Sequence, residues 1–389
     1  MSINNEETIG KLIDLLDAEK LSVVVGAGFS KNASPKFLTW KELLKDMVIE
    51  MYGSMARELV EYVKVRGSNK EQRFWKDFVD QVINEKGYLT IASEYVKRHG
   101  YREVIDEYIE ARTPLVIEDR DRFYTKLNGT KHEVDLNTHD QLLAVKWNNV
   151  YTFNYDNLLD VVGGAERHKV LEEEIIELEK NVSDIDLRLV VIEEELGRIE
   201  KVEDAKSQLK DTFNNKESPI SSGIRTNELR VIDKKSLIVE QSDLKGKKNI
   251  NKLAIESKKS EQNNLYYLVQ NSFDLSLRKK QNIIKLHGTV RKAKCEKYGF
   301  DNDPRCHYII TADDYENYQE KHEAFVNLMR IALLQDSFCL IGFSGDDPNF
   351  TSWLCWVRDI LDRRSVENKE EKVFFIDVSG HPLSESKKL

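Results

Sequence analysis

The apolar positions of this chain change period along its length, and each period predicts an element. Residues 7–20 carry Ile9, Leu12, Ile13, Leu15 and Leu16 on one side of a helical repeat, the pattern of an amphipathic helix. Leu21 to Val25 follow as a short, β-branched apolar run, which fits a strand covered on both faces of a parallel sheet. From Thr39 to about Arg112 the pattern is helical. "TWKELLKDMVIEMY" opens with Thr39 and has Glu42 three residues later, the spacing of a capping box. "HDQLLAV" reads as a helix capped by Thr138 or Asn137, and "NNVYTFNYD" returns to strand character.

The period changes again after residue 166. Leu171, Ile175, Leu178, Val182, Ile185, Leu189, Ile192, Leu196 and Ile199 step alternately by four and three, an a/d seam over about four heptads flanked by Glu and Lys. Such a stripe has to be buried against another helix. The Lys- and Ser-rich stretch from about Asn227 to Asn271 is the candidate to fold back antiparallel. Its apolar repeat is weaker, so pairing between chains stays equally open, and a solvated charged linker is the plainer alternative that the regularity of the seam argues against.

Beyond this segment, "QNIIKLHGTV" and "HYIITADDYENY" read as strands and "EAFVNLMRIALLQ" as a helix. "SFCLIGFSGDDPNF" reads as a strand running into a turn, "TSWLCWVRDIL" as a helix and "KVFFIDVSG" as a last strand. Strands alternating with helices predict the α/β class with a Rossmann-like parallel sheet. The expected organisation is a core from 1–165, with a helical module at about 40–135, then a coiled-coil insertion at 166–280, then the second part of the core at 281–389.

Composition narrows the class. Of 389 residues, 33% are charged and 40% hydrophobic, so part of the chain is expected as solvent-facing helix rather than core. The net charge is -9, and a duplex-binding surface needs a basic field, so nucleic acid is not favoured as a direct ligand. The polar, acidic start "MSINNEETIG" lacks the features of a secretory signal, and no apolar run has the length of a membrane span. Cys295, Cys306, Cys339 and Cys355 form no CxxC pair. A cytoplasmic protein without disulfides is the expectation.

Four strand ends carry residues suited to chemistry. "GAGFS" places Gly26, Ala27, Gly28, Phe29 and Ser30 after the first strand, a G-x-G turn that lets backbone approach a diphosphate; Lys31 stands where a third glycine would complete GxGxxG. A plain tight connection explains the same residues, with Ser30 as a helix cap. "FNYD" places Asn154 and Asp156 where ligands sit in parallel α/β sheets, and a local Asx turn or a cap for "NLLD" is the alternative. "KLHG" puts His287 and Gly288 at another strand end, and "GFSGDDPNF" puts Ser344, Gly345 and Asp346 at a fourth, where a simple turn would also account for them.

Together these four motifs, in this order, resemble the SIR2 family of sirtuin-like NAD-binding proteins. The matching residues are Gly26-Ala27-Gly28 with Ser30, Asn154-Tyr155-Asp156, His287-Gly288, and Phe343-Ser344 with Asp346 to Pro348. "IITADDYENY" is also similar to a segment common in bacterial SIR2-like proteins. The resemblance covers about 1–165 and 281–389 and leaves the arm unexplained. It implies catalytic roles for Asn154, His287 and Asp156, a diphosphate site at Gly26–Ser30, and an adenosine end near Ser344, Gly345 and Asp346. Protein-deacylating sirtuins bind zinc through two CxxC pairs; that pattern is missing here, so no zinc is expected. No segment matches their acyl-lysine-pairing strand. "TFNYDNLLD" and "KLHG" instead resemble SIR2-like effectors of bacterial anti-phage defence, which hydrolyse NAD to nicotinamide and ADP-ribose. A protein deacylase and a non-catalytic NAD- or ADP-ribose-binding module are the competing readings. The resemblance further implies a homo-oligomer and a HerA-type hexameric ATPase as partner, with control expected from oligomerisation, the arm or a separate subunit.

Overall fold

The computed structural model describes residues 5–62, 68–119, 122–127, 130–213, 224–290, 308–362 and 371–376. They form two compact units, Met1–Ala165 with Tyr266–Leu389, and Glu166–Leu265. The first unit begins with α1 (Asn5–Asp17), β1 (Leu21–Val25) and a single helical turn, α2 (Ala27–Ser30). Four helices follow: α3 (Trp40–Tyr62), α4 (Ser68–Lys86), α5 (Tyr88–His99) and α6 (Glu103–Arg112). The expected capping box opens α3: Glu42 accepts from Thr39 N–H at 2.8 Å, and Glu42 N–H donates to Thr39 Oγ1 at 3.4 Å.

The helical module stops at Arg112, earlier than the expected 135. β2 (Leu115–Asp119), β3 (Arg122–Leu127) and β4 (Thr130–Glu133) form a small antiparallel sheet in that order. The signal for it was Asn128-Gly129, the residue pair most favoured between hairpin strands, flanked by Phe123, Tyr124 and Thr130. α7 (Asn137–Ala144) takes no side-chain cap from Thr138 or Asn137. Instead the Asn137 N–H donates to Asp135 Oδ1 at 3.0 Å.

β5 (Val150–Thr152) and α8 (Leu158–Val162) precede the second unit, which is built from α9 (Ala165–Phe213) and α10 (Ile224–Gln262). The first unit resumes at Tyr266, ahead of the 281 expected, because β6 (Tyr267–Val269) pairs with β7 (Asn282–Lys285). Then come α11 (Ala312–Glu316), α12 (Tyr318–Lys321), α13 (Glu323–Gln335), β8 (Ser337–Ile341), α14 (Pro348–Asp362) and β9 (Val373–Ile376). Tyr308–Ile310 is not a strand, despite its β-branched sequence. Its N–H groups go to Asp106 Oδ1, His287 O and Asp314 Oδ2 rather than to a ladder, and Thr311 with Asp314 caps α11 in a capping box.

The six-stranded sheet runs β6-β7-β5-β1-β8-β9, with every pairing parallel. From β1 the chain adds β5 beside it, crosses to the edge strand β6, fills the gap with β7, and then returns to add β8 and β9 on the other side of β1. This reversal is the Rossmann-like switch point, beside which ligands bind. β1 is buried on both faces, as its composition predicts. Val24 packs with Tyr151, Ile284, Leu340 and residues of α13 and α14 on one face. Val23 and Val25 pack with Val150, Ile283 and Cys339 on the other.

In the second unit, ion pairs join Arg167 to Glu261, Glu174 to Lys258, Asp186 to Lys248, Arg188 to Glu240 and Glu203 to Lys234. Partners that rise in number on one helix fall on the other, so α9 and α10 are antiparallel within one chain. The a/d positions of α9 are its covered side, with Leu171 and Ile192 fully buried. The weak apolar repeat of α10 also has its reason. Lys234, Lys248 and Lys258 occupy the same heptad stripe as Leu237, Leu244 and Ile255 and reach across to carboxylates of α9. Among the described residues no helix is long and apolar enough to cross a membrane.

Candidate active site

A cleft of about 450 Å³ opens at the carboxyl ends of β1, β5, β7 and β8, in the size range of small-molecule sites. It is lined by Gly26, Ala27, Gly28, Asn154, Asp156, His287, Ser344 and Asp346, so residues from all four strand-end motifs meet at one place. Phe29, Ser30 and Gly345 are not among its lining residues.

The glycine turn is shaped by the loop after β8. A Cβ on Gly26 would lie 2.4 Å from Gly342 O, and one on Gly342, which has φ +59°, would lie 2.3 Å from Phe29 N. Only glycines allow these two loops to interlock. The N–H groups of Gly26 and Gly28 donate to Ile341 O and Gly342 O, both at 3.0 Å, and Phe29 N–H donates to Gly26 O. These three donors are therefore committed within the protein, and the glycines first of all serve close approach. Phe29 turns away and meets the His139 ring edge-on, at 4.7 Å between centroids.

Ser30 joins the first two motifs. Its hydroxyl donates to Asp156 Oδ2 at 2.8 Å and accepts from Asn154 Nδ2 at 3.1 Å. Asn154 and Ser30 are both buried, so this chain of bonds fixes the carboxamide and leaves Asn154 Oδ1 as its free acceptor. Asp156 also makes the Asx turn, accepting from Leu158 N–H at 3.2 Å. It is thus a cap and a lining residue at once. Asn157 is neither; its side chain grips the Val116 backbone through both its oxygen and its nitrogen, at 2.8 and 2.9 Å.

Beneath the turn lies a residue the sequence did not single out. Lys285, at the end of β7, is 1% exposed; its Nζ donates to the Asp156 carbonyl and lies 3.3 Å from Asp160 Oδ1. Burial raises the pKa of Asp160, opposed by the Lys285 charge and by hydrogen bonds from Lys285 and Thr289. A buried ion pair is weak evidence for stability, because desolvation offsets its attraction. This one ties the Asp156 backbone to α8.

His287 is 3% exposed, and its ring meets Phe153, Tyr315 and Tyr318 edge-on. Burial lowers its pKa below the ordinary 6.5, and the charges of Asp347 and Asp314 oppose that shift without cancelling it. The imidazole is therefore neutral at pH 7, and its Nε2 has no hydrogen-bond partner. The nearest carboxylate is Asp347 Oδ2 at 3.7 Å. Sequence reasoning named the neighbouring Asp346, which is exposed, while Asp347 is buried. Tyr315 OH donates to Asp347 Oδ2 at 2.8 Å, and Asp347 Oδ1 accepts from Phe350 N–H at 3.0 Å in the first turn of α14. An aromatic wall was also missed: Trp40 stacks on Tyr88 with centroids 5.7 Å apart, both line the cleft, and Trp40 Nε1 is buried without a partner.

Among the described residues no group of three or more His, Cys, Asp or Glu is placed to hold a metal ion. Cys295 and Cys306 lie outside the described residues. The family model described as SIR2-like domain matches residues 246–385, which include β6 to β9 and the loops carrying His287 and Asp347. No curated protein matches the chain. The match and the Rossmann-like sheet support the SIR2-like family, and SIR2-like domains use NAD. The site is compatible with an NAD-utilising enzyme.

Proposed function

We propose that this protein is an NAD glycohydrolase, cleaving NAD to nicotinamide and ADP-ribose, and that it acts as an effector of bacterial anti-phage defence by draining NAD. The observation that carries the chemistry is the convergence of a fixed Asn154 and a neutral, unpartnered His287 on one strand-end cleft. The defence role, the oligomer and the HerA-type ATPase partner come from the sequence resemblance.

The residues present fit such a substrate. The cleft has an aromatic wall, an orphaned Trp40 Nε1 and the His287 ring in its lining, and it is floored by glycines that a Cβ would crowd. Nicotinamide leaves as a neutral molecule when the C1′–N bond breaks, because the electron pair returns to a cationic ring nitrogen. No general acid is needed, in contrast to ordinary glycoside cleavage. The protein has to hold a developing ribosyl cation and deliver water. Asn154 Oδ1, fixed through Ser30 and Asp156, is suited to a ribose hydroxyl or the attacking water. His287 takes the proton that water or a ribose hydroxyl loses, and its neutral form is the one that can do so. Gly26–Ser30 and Ser344–Asp346 are assigned to the diphosphate and adenosine end, where Ala27 and Ser344 line the cleft.

The test separates hydrolysis from deacylation. Purified protein is incubated with NAD alone and with NAD plus an acetyl-lysine peptide, and products are followed by chromatography. Nicotinamide and ADP-ribose should appear at the same rate in both. Product formation that requires the peptide and consumes it stoichiometrically would replace this reading with a deacylase.

A further inference from the structure

Asp347 is the buried second carboxylate of a turn whose first, Asp346, is exposed. A buried carboxylate needs partners, and Asp347 has two neutral ones, Tyr315 OH at 2.8 Å and Phe350 N–H at 3.0 Å. The helix cap alone would explain Oδ1. It does not explain Oδ2, which is held by Tyr315 within 3.7 Å of an imidazole nitrogen that has no partner. We propose that Asp347, held by Tyr315, is the positioning residue for His287, fixing the tautomer with the proton on Nε2 and leaving Nδ1 as the proton acceptor.

This inference rests on the reading of His287 as the base. The logic is that of a carboxylate–histidine pair, in which the carboxylate orients the ring, stays ionised and stabilises the imidazolium once it forms. A separation of 3.7 Å is long for a hydrogen bond, and such contacts in ligand-free sites tighten when substrate binds. In the step itself, the oxygen that attacks gives its proton to Nδ1. The positive charge that results lies beside Asp347 Oδ2, and no proton moves to the carboxylate. The titratable groups facing the ring are Asp347 in the turn before α14, Asp314 and Tyr315 on α11, and Tyr318 on α12. Tyr318 donates to Leu286 O at 2.9 Å, and Asp314 is engaged by Arg102 and the α11 cap, which leaves Asp347 as the group able to act on Nε2.

The experiment compares wild type with Asp347→Asn and Tyr315→Phe. Asparagine keeps an oxygen for the α14 cap and removes the charge. Asp347→Asn should lower kcat by roughly tenfold to hundredfold, a share of the about 100- to 10,000-fold that a general base contributes. KM should stay within about twofold. Because Asp347 raises the pKa of His287, its loss should move the acid limb of the kcat/KM profile to lower pH. Tyr315→Phe should lower kcat less and leave that limb in place. Nitrogen-15 NMR of histidine-labelled protein, with His287 assigned by its loss in His287→Gln, reads the tautomer without any turnover. Wild type should carry the proton on Nε2, and Asp347→Asn should show a mixture. A wild-type proton on Nδ1, or an Asp347→Asn protein with unchanged tautomer and pH limb, would overturn the assignment. Absence of NAD turnover in wild type would overturn the functional reading instead, and the NMR comparison would still decide this one.

Discussion

The strand-end cleft and the helical arm treat polar groups in opposite ways. In the arm, charged side chains pair across the surface between α9 and α10, with both partners of the Arg188–Glu240 pair more than a third exposed. Exposed pairs of this kind contribute little to stability. At the cleft, lining residues Asn154, Asp156, His287 and Asp347 are buried, as are Ser30 and Lys285 bonded to them. Burying polar groups is costly unless each finds a partner, and here most do while His287 Nε2 does not. The cleft thus gathers buried polar groups at the strand ends, whereas the arm spreads its charges over an exposed surface.

The largest expected effect would break this contrast if it failed. Asn154→Ala and His287→Ala should each cut NAD turnover by at least about 100-fold, the scale of losing a general base, while circular dichroism and melting temperature stay close to wild type. A variant retaining most turnover would remove that residue from the mechanism. Second, Ile192→Ala, at a fully buried seam position of α9, should cost the arm about 2–5 kcal/mol, read as faster hydrogen exchange confined to 166–265. Third, two glycines should respond with opposite signs. Gly26→Ala forces a Cβ to 2.4 Å from Gly342 O and should destabilise by about 1–3 kcal/mol and reduce turnover. Gly246→Ala, in mid-helix with nothing within 4 Å, should stabilise α10 by about 0.5–1 kcal/mol. Paired thermal melts and rate measurements check both.

The smallest effect is a position on the pH axis. The His287 pKa is lowered by burial, so the neutral base persists as pH falls through 6.5, and the acid limb of kcat/KM should lie below that value. The same shift makes the unfolded chain bind the proton first, so this group's contribution to stability declines as pH drops below 6.5. An acid limb above 6.5 would show that His287 is solvated or charged in the working enzyme.

What the sequence made legible follows from periodicity and burial. Leu21–Val25 and Val150–Thr152 announced themselves because strands buried on both faces carry apolar residues without alternation. Asn154 and His287 stood out because polar residues at the ends of such strands are few. Tyr308–Ile310 misled, because its backbone partners are carboxylates distant in sequence, Asp106 and Asp314, and β-branched residues do not reveal that. Asp346 was chosen over Asp347 for a similar reason. Adjacent carboxylates in a turn are equivalent on paper, and which one turns inward is set by Gly345, at φ +78°, and by the α14 cap. The arm's pairing within one chain was hidden because lysines occupy part of the α10 seam, and only their ion pairs to α9 reveal it.

NAD hydrolysis in the cleft, as proposed above, is open to direct test. The most direct measurement is the yield of nicotinamide and of ADP-ribose per NAD lost, for wild type, Asn154→Ala and His287→Ala, with no acyl substrate present. Wild type should release one of each per NAD consumed, and both variants should release almost none. Intact NAD after prolonged incubation with wild type, with and without a HerA-type ATPase added, would contradict it.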